Sequence, residues 1–245
     1  MVGLPPPTIE PIPLQTHDYR QFSGQYSELK LEGSYFLAFN AVAEWFERHN
    51  SRGKLLDFGC GTGRSTRFLR SLGFDTVGVD INPSMLTKAR QAAEGEYYLL
   101  DSEQLPFSNH HFDAIFQSFV LLEYSSITQM MNTFGELNRV LTDEGIVIIV
   151  TGSEEYYRHH WSSFEIGPID ETCLASGCKV RVGIRDTDIV LFDYYWTDND
   201  YRQVFQQSGF QVIEAMQPLA QGHEPFAWVN ECDFPCWTIY VLKKQ

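Results

Sequence analysis

The sequence predicts an α/β fold built on a doubly wound, mostly parallel sheet. Three observations carry that expectation. Apolar strand-like runs alternate with segments of helical periodicity from Ser34 to Thr151. The stretch "LLDFGCGTGRST" at 55–66 sets three alternate glycines between an apolar strand and a helix. The run "GIVIIV" at 145–150 is apolar on both faces, as a central parallel strand must be when helices cover both sides. A chain of 245 residues with 43% hydrophobic content can bury one sizeable core, so a single embellished domain is expected.

Each element has its own local reason. The stretch "MVGLPPPTIEPIPL" reads as an extended, proline-rich lead-in, without the charged and apolar regions of a signal peptide. Residues 17–32 are polar and aromatic. Phe36, Phe39, Ala43 and Phe46 recur at three- and four-residue spacing, which predicts a helix over 34–49. "KLLDF" is a buried strand, and a helix over 62–72 closes near Gly73. "FDTVGVD" is the second strand. Asn82 followed by Pro83 starts a helix that runs to about residue 93, with Asn as cap and Pro in the first turn. "EYYLL" and "FDAIFQS" are the third and fourth strands, and Ile127, Met130, Met131, Phe134, Leu137 and Leu141 mark a helix over 126–141. After "GIVIIV" the alternation breaks. Residues 152–178 read as aromatic and irregular, and "KVRVGIRDTDIVLFDYYW" as an antiparallel hairpin. Thr197 and Asp200 form a capping box for a helix ending at Gly209. "FQVIEAM" and "WTIYVLKK" are the last two strands.

Charge narrows the partners. A net charge of −14 and a pI near 4.8 argue against nucleic acid and anionic membranes, which both demand a basic footprint. The longest apolar run is far shorter than a bilayer needs, so a cytoplasmic location is expected. The five cysteines include the spacings Cys173–Cys178 and Cys232–Cys236, neither of them the tight C-x2-C of most zinc sites. No metal is expected, and the thiols read as reduced.

The glycine turn discriminates between ligands. No Lys follows the glycines, so it is not a phosphate-binding P-loop. A dinucleotide turn needs G-x-G-x-x-G, but here the glycines are 59, 61 and 63, and Arg64 stands where the third is required. Asp57 at the strand end would repel a pyrophosphate and suit a ligand bearing a cation. Asp80, ending the second strand, can accept both hydroxyls of an unphosphorylated ribose, a feature that nicotinamide enzymes share. Asp101, after the third strand, can accept from an adenine amine, or cap a turn. The three acids converge on one edge of the sheet.

"LLDFGCGTG", "VGVDINPSML", "LLDSEQLPFSNHHFDAIFQSFVL" and "LNRVLTDEGIVIIV" together resemble the successive motifs of class I S-adenosylmethionine-dependent methyltransferases, in particular the type 11 small-molecule subset. The resemblance is strong over 54–151 and weaker toward the end of the chain. It implies a Rossmann-like seven-stranded sheet in the order 3-2-1-4-5-7-6 with its last strand antiparallel. It also implies S-adenosylmethionine as cofactor. Carried over by position, Asp57 would lie near the methionine amino group, and Gly59, Cys60, Gly61 and Gly63 would bring the backbone to the methionine and ribose. Asp80 would bind the ribose, Ile81 and Met85 would pack on the adenine, and Asp101 and Ser102 would meet its edge. Gln117, Ser118 and Phe119 would line the sulfonium side.

Methyl transfer from a sulfonium requires chiefly alignment, and a general base only where the acceptor keeps its proton. "QSFVLLEY" after the fourth strand lacks the Asn/Asp-Pro-Pro-aromatic signature of amino-methylating nucleic-acid enzymes, so a small-molecule acceptor is expected. Residues 1–50 read as an N-terminal extension and helical cap, and 152–196 as an acceptor-site insertion within the catalytic domain 51–245. "EEYYRHHWSSF" offers Tyr156, Tyr157, His159, His160, Trp161 and Phe164, either as an aromatic acceptor pocket with a histidine base or as a mini-core under a loop. Tyr19 and Tyr26 read either as a lid over the methionine carboxylate or as packing, and Tyr26 joins His159 and His160 as a catalytic candidate. Glu123, Glu224 and Glu231 could face an acceptor, or simply be solvated. A cofactor-binding regulatory or scaffold protein without transfer activity is the alternative function.

Overall fold

The computed structural model describes residues 22–102, 104–169 and 174–245. The proline-rich lead-in, Tyr19 and Cys173 lie outside them. The large sheet has seven strands: β1 (Lys54–Phe58), β2 (Asp75–Asp80), β3 (Tyr97–Leu99), β4 (Phe112–Ser118), β5 (Leu141–Gly152), β9 (Phe210–Met216) and β10 (Trp237–Lys244). Their order is β3-β2-β1-β4-β5-β10-β9, which is the expected 3-2-1-4-5-7-6 once the strands of a smaller sheet are set aside. The first five pair in parallel, and β10 runs antiparallel to both β5 and β9.

Side-chain alternation divides the core into two layers. Ile146, Ile148 and Val150 of β5 face one layer, with Phe39, Val42 and Phe46 of α2 (Ser34–Arg48) and Leu69 of α3 (Arg64–Ser71). Val147 and Ile149 face the other, with Phe134 of α5 (Ile127–Val140) and Phe205 of α6 (Asp198–Gln207). A strand apolar on both faces is thus a strand covered on both faces. Beside the β3 edge, α4 (Pro83–Ala92) sets Leu86 and Ala89 against Tyr97.

The segment between β5 and α6 is more regular than its sequence suggests. β7 (Lys179–Ile184) and β8 (Val190–Tyr194) form the expected hairpin, and β6 (Phe164–Ile166) adds a third antiparallel strand from a stretch read as irregular. Phe164, Val182 and Leu191 carry this small sheet onto the α2 layer of the core. Two short helical pieces also went unread: α1 (Ser23–Glu28), which packs toward α4, and a single 3-10 turn at Val120–Glu123.

Candidate active site

A cavity of about 240 Å³ opens where β1, β2 and β4 end. Gly59 follows β1 with φ +77°, and a Cβ there would stand 2.3 Å from a Val120 methyl, so the turn passes tightly under the 3-10 segment. Gly61, at φ +53°, has nothing within 4 Å of its missing Cβ and borders the cavity, leaving its backbone open to a ligand. Asp80 locks this loop. Its Oδ2 accepts from the Gly61 N–H at 2.7 Å, and its Oδ1 from the Asn82 N–H at 2.8 Å. Asn82 caps α4 by accepting from the N–H groups of Ser84 and Met85.

Asp57 sits beneath the loop, fully buried. Ser65 Oγ and Thr66 Oγ1 donate to its Oδ2 at 2.7 and 2.6 Å, while its Oδ1 has no hydrogen-bond partner among the described residues. Burial pushes both carboxyls up to about 6, against the hydroxyls on Asp57 and the backbone N–H groups on Asp80.

The aromatic end of the cavity draws on several segments. Tyr26 comes from α1, Tyr35 from α2, Phe119 from the end of β4 and Trp237 from β10. Tyr35 meets Phe119 edge-on at 5.6 Å and Phe164 at 5.0 Å, and Trp237 lies 4.8 Å from Phe119 and 5.1 Å from Tyr156. Phe119 holds a left-handed backbone, φ +65°, rare for an aromatic residue and typical of functional turns. Arg64 lies over the Tyr35 ring at 4.3 Å and donates to the Lys30 carbonyl. It is the only cation among the described lining residues.

Of the cofactor residues expected from sequence, Gly59, Cys60, Gly61, Asp80, Ile81 and Met85 border the cavity, as do Ser102, Ser118, Phe119 and Tyr26. Asp57, Gly63 and Gln117 stand behind that lining, and Asp101 is on the surface between two bordering residues. His159 and His160 are turned to other tasks. His159 pairs with Glu155 at 2.9 Å and stacks on Phe234, and His160 is exposed and accepts from the Ile166 N–H at 3.4 Å. Trp161 is buried away from the cavity, donating to the Tyr156 carbonyl. Glu231 is neither solvated nor at the cavity: it is fully buried, accepting from Ser34 Oγ at 2.7 Å and the Ser162 N–H at 2.6 Å. Glu224 braces an exposed turn through the Gln221 N–H. Sequence reasoning missed Arg64, Tyr35, Trp237 and Asp193 as lining residues. For Asp193 a signal existed: in "VLFDYY" it alternates with Leu191 on the inward face of a strand, where a carboxylate is costly.

Residues 56–149 match the family model of a methyltransferase domain. Over those residues the chain is a methyltransferase domain of that family. Over 175 residues it is 33% identical to an uncharacterised methyltransferase, YodH, of Bacillus subtilis, covering 69% of this chain and 65% of that one. Over 99 residues it is 36% identical to a malonyl-[acyl-carrier protein] O-methyltransferase of Serratia marcescens, covering 40% and 38%. The chain thus spans less than two thirds of these relatives' own lengths. A methyltransferase structure from Clostridium acetobutylicum shares the fold at a TM-score of 0.62 and 17% identity, over 92% of this chain and 98% of that one. S-adenosylmethionine, the cofactor of such domains, fits the residues present: the methyltransferase loop leaves Gly61 open to it, and Asp57 Oδ1 is a buried acceptor lacking a donor.

Proposed function

We propose that the chain transfers a methyl group from S-adenosylmethionine to a small-molecule acceptor held at the aromatic end of the cavity. One observation carries the reading: a single cavity joins the glycine loop and Asp80 to a chamber walled by Tyr35, Phe119, Tyr156 and Trp237. Bound S-adenosylmethionine would supply an activated methyl group on a sulfonium. The chain's own part is to bind, align and exclude water. Asp80 accepts from the ribose, Asp57 draws the ammonium, and Arg64 meets the methionine carboxylate. The aromatic walls hold the acceptor on the sulfonium side, so the rate gain is mainly proximity and orientation.

Residues 22–50 then act as the roof, and the described part of 152–196 as the acceptor insertion. Tyr26 and Tyr35 from the first, and Tyr156, Phe164 and Asp193 from the second, all border the cavity. The acidic surface favours an acceptor other than nucleic acid. Thiols at Cys60, Cys232 and Cys236, unbridged among the described residues, favour a reducing compartment, the cytoplasm. No helix among the described residues is long and apolar enough to cross a membrane.

Labelled-methyl S-adenosylmethionine incubated with the chain and a metabolite extract should yield a labelled small molecule. Cofactor binding by calorimetry without any labelled product would leave a cofactor-binding protein without transfer activity.

A further inference from the structure

Asp193 is the least expected residue in the cavity. It lies on β8, only 2% exposed, yet it borders the chamber. Among the described residues its carboxylate accepts from the Tyr157 hydroxyl, to Oδ2 at 3.4 Å, at the long limit of a hydrogen bond. The charged and titratable groups around it come from several elements. They are Tyr26 of α1, Tyr35 of α2, Tyr156 and Tyr157 after β5, Tyr201 of α6 and Glu123 of the 3-10 turn. None of these is a cation. Arg64, the one cation among the described lining residues, is engaged with the Tyr35 face and the Lys30 carbonyl.

A buried carboxylate with no cationic partner is expensive unless a ligand brings the missing charge. The walls say which ligand. Aromatic faces carry negative quadrupoles and attract cations, and here Tyr35, Tyr156, Phe164 and Trp237 pack around one space. An ammonium finds both attractions there. A carboxylate finds two repelling acids, Asp193 and Glu123.

Resting on the methyl-transfer reading, we propose that the acceptor is a small amine, bound as its ammonium by Asp193 within the aromatic chamber and methylated on nitrogen. An ammonium cannot attack, so it must first give up a proton. The N–H bond breaks toward an Asp193 oxygen, which takes the proton, and the electron pair stays on nitrogen. That pair forms the N–C bond as the methyl carbon leaves sulfur, whose bonding pair returns to it. The proton then leaves Asp193 for solvent with the product. Burial holds the Asp193 carboxyl well above the ordinary carboxylate range, which suits an acceptor of that proton.

The test uses three probes of one shape: benzylamine, benzyl alcohol and benzoate, each titrated calorimetrically into the chain with and without S-adenosylhomocysteine. Benzylamine should bind at least about tenfold tighter than the alcohol, and benzoate weakest. Asp193→Asn should bring amine and alcohol within about threefold while leaving S-adenosylhomocysteine affinity unchanged. The wild-type order stands as a result even if the variant folds poorly. Benzoate binding as tightly as benzylamine, no binding of any probe, or an amine preference that survives Asp193→Asn would overturn the proposal. So would a labelled product from the extract methylated on oxygen, carbon or sulfur, which leaves the methyl-transfer reading intact. Absence of any labelled product, by contrast, sinks that reading.

Discussion

Asp80 does two jobs with one carboxylate. It holds the N–H groups of Gly61 and Asn82, and its exposed edge borders the cavity where a ribose would lie. Asp80→Ala should therefore cost about 1.5–3 kcal/mol of S-adenosylmethionine binding, the loss of a charged acceptor. Calorimetry reads the affinity, and an unchanged value would reduce Asp80 to a turn residue. The pH dependence follows from Asp57 and Asp80 together. Both titrate near 6 in the folded chain, against an ordinary 3.8. The folded state thus binds these protons more tightly than the unfolded state, so this contribution to stability is present at low pH and lost as pH rises from about 4 to 6. A cationic cofactor favours the ionised forms. Its affinity should fall as pH drops below about 6, and binding at pH 6 should release protons. Titrations in buffers of different ionisation heat measure this, and proton uptake would contradict it. Asp57 and Asp80 were legible because each ends an apolar strand beside a turn signal, a local pattern. Asp193 carried only the weaker signal of an acid on the inward face of a strand, because that strand faces a cavity assembled from α1, α2 and β10, all distant in sequence.

At the scale of elements, local chemistry was legible and long-range pairing was not. The capping box of α6 is present as read: Thr197 Oγ1 accepts from the Asp200 N–H, and Asp200 Oδ2 accepts from the Thr197 N–H at 2.9 Å. β6 escaped notice because three residues carry little periodicity, and their partners on β7 lie beyond the break in the pattern. The segment from residue 152 to 196 is held down by Glu231, which accepts from Ser34 Oγ at the start of α2, the Ser162 N–H, and the Val229 N–H of its own loop. Burial opposes its ionised form, but these bonds outweigh burial and hold its carboxyl below the ordinary range. That stability is present above the unfolded value and lost as pH falls through the folded one, opposite in sign to the Asp57 and Asp80 contribution. Glu231→Gln should destabilise the chain by about 1.5–3 kcal/mol in urea unfolding, because an amide turns donors toward donors. Cofactor affinity should stay within about threefold, since Glu231 is not at the cavity. A variant of wild-type stability would show that the clamp contributes nothing net.

Across the whole molecule, parallel strands β1 to β5 need crossover helices, which cover both faces, and β10 runs antiparallel between β5 and β9. The parallel sheet was legible because the alternation is regular up to Thr151, whereas its strand order came only with the family resemblance. The small sheet was only half legible because it is a separate layer with its own pairing. The arrangement gathers the ends of β1, β2 and β4 at one edge, and the cavity lies there. A ligand seated at that edge touches several strands and the helix caps at once, so it should stabilise the entire fold. At a hundredfold excess over Kd a ligand specific to the folded state adds about 2.7 kcal/mol. In a chain of this size each kcal/mol moves Tm by about 2–4 °C, so S-adenosylmethionine should raise Tm by roughly 5–10 °C. NAD should not. Arg64 stands where the close-packing glycine of a dinucleotide turn belongs, and the acid Asp57 buried beneath the loop disfavours a pyrophosphate above it. Thermal unfolding with each ligand in turn decides the matter, and an equal rise with NAD would reverse the cofactor assignment.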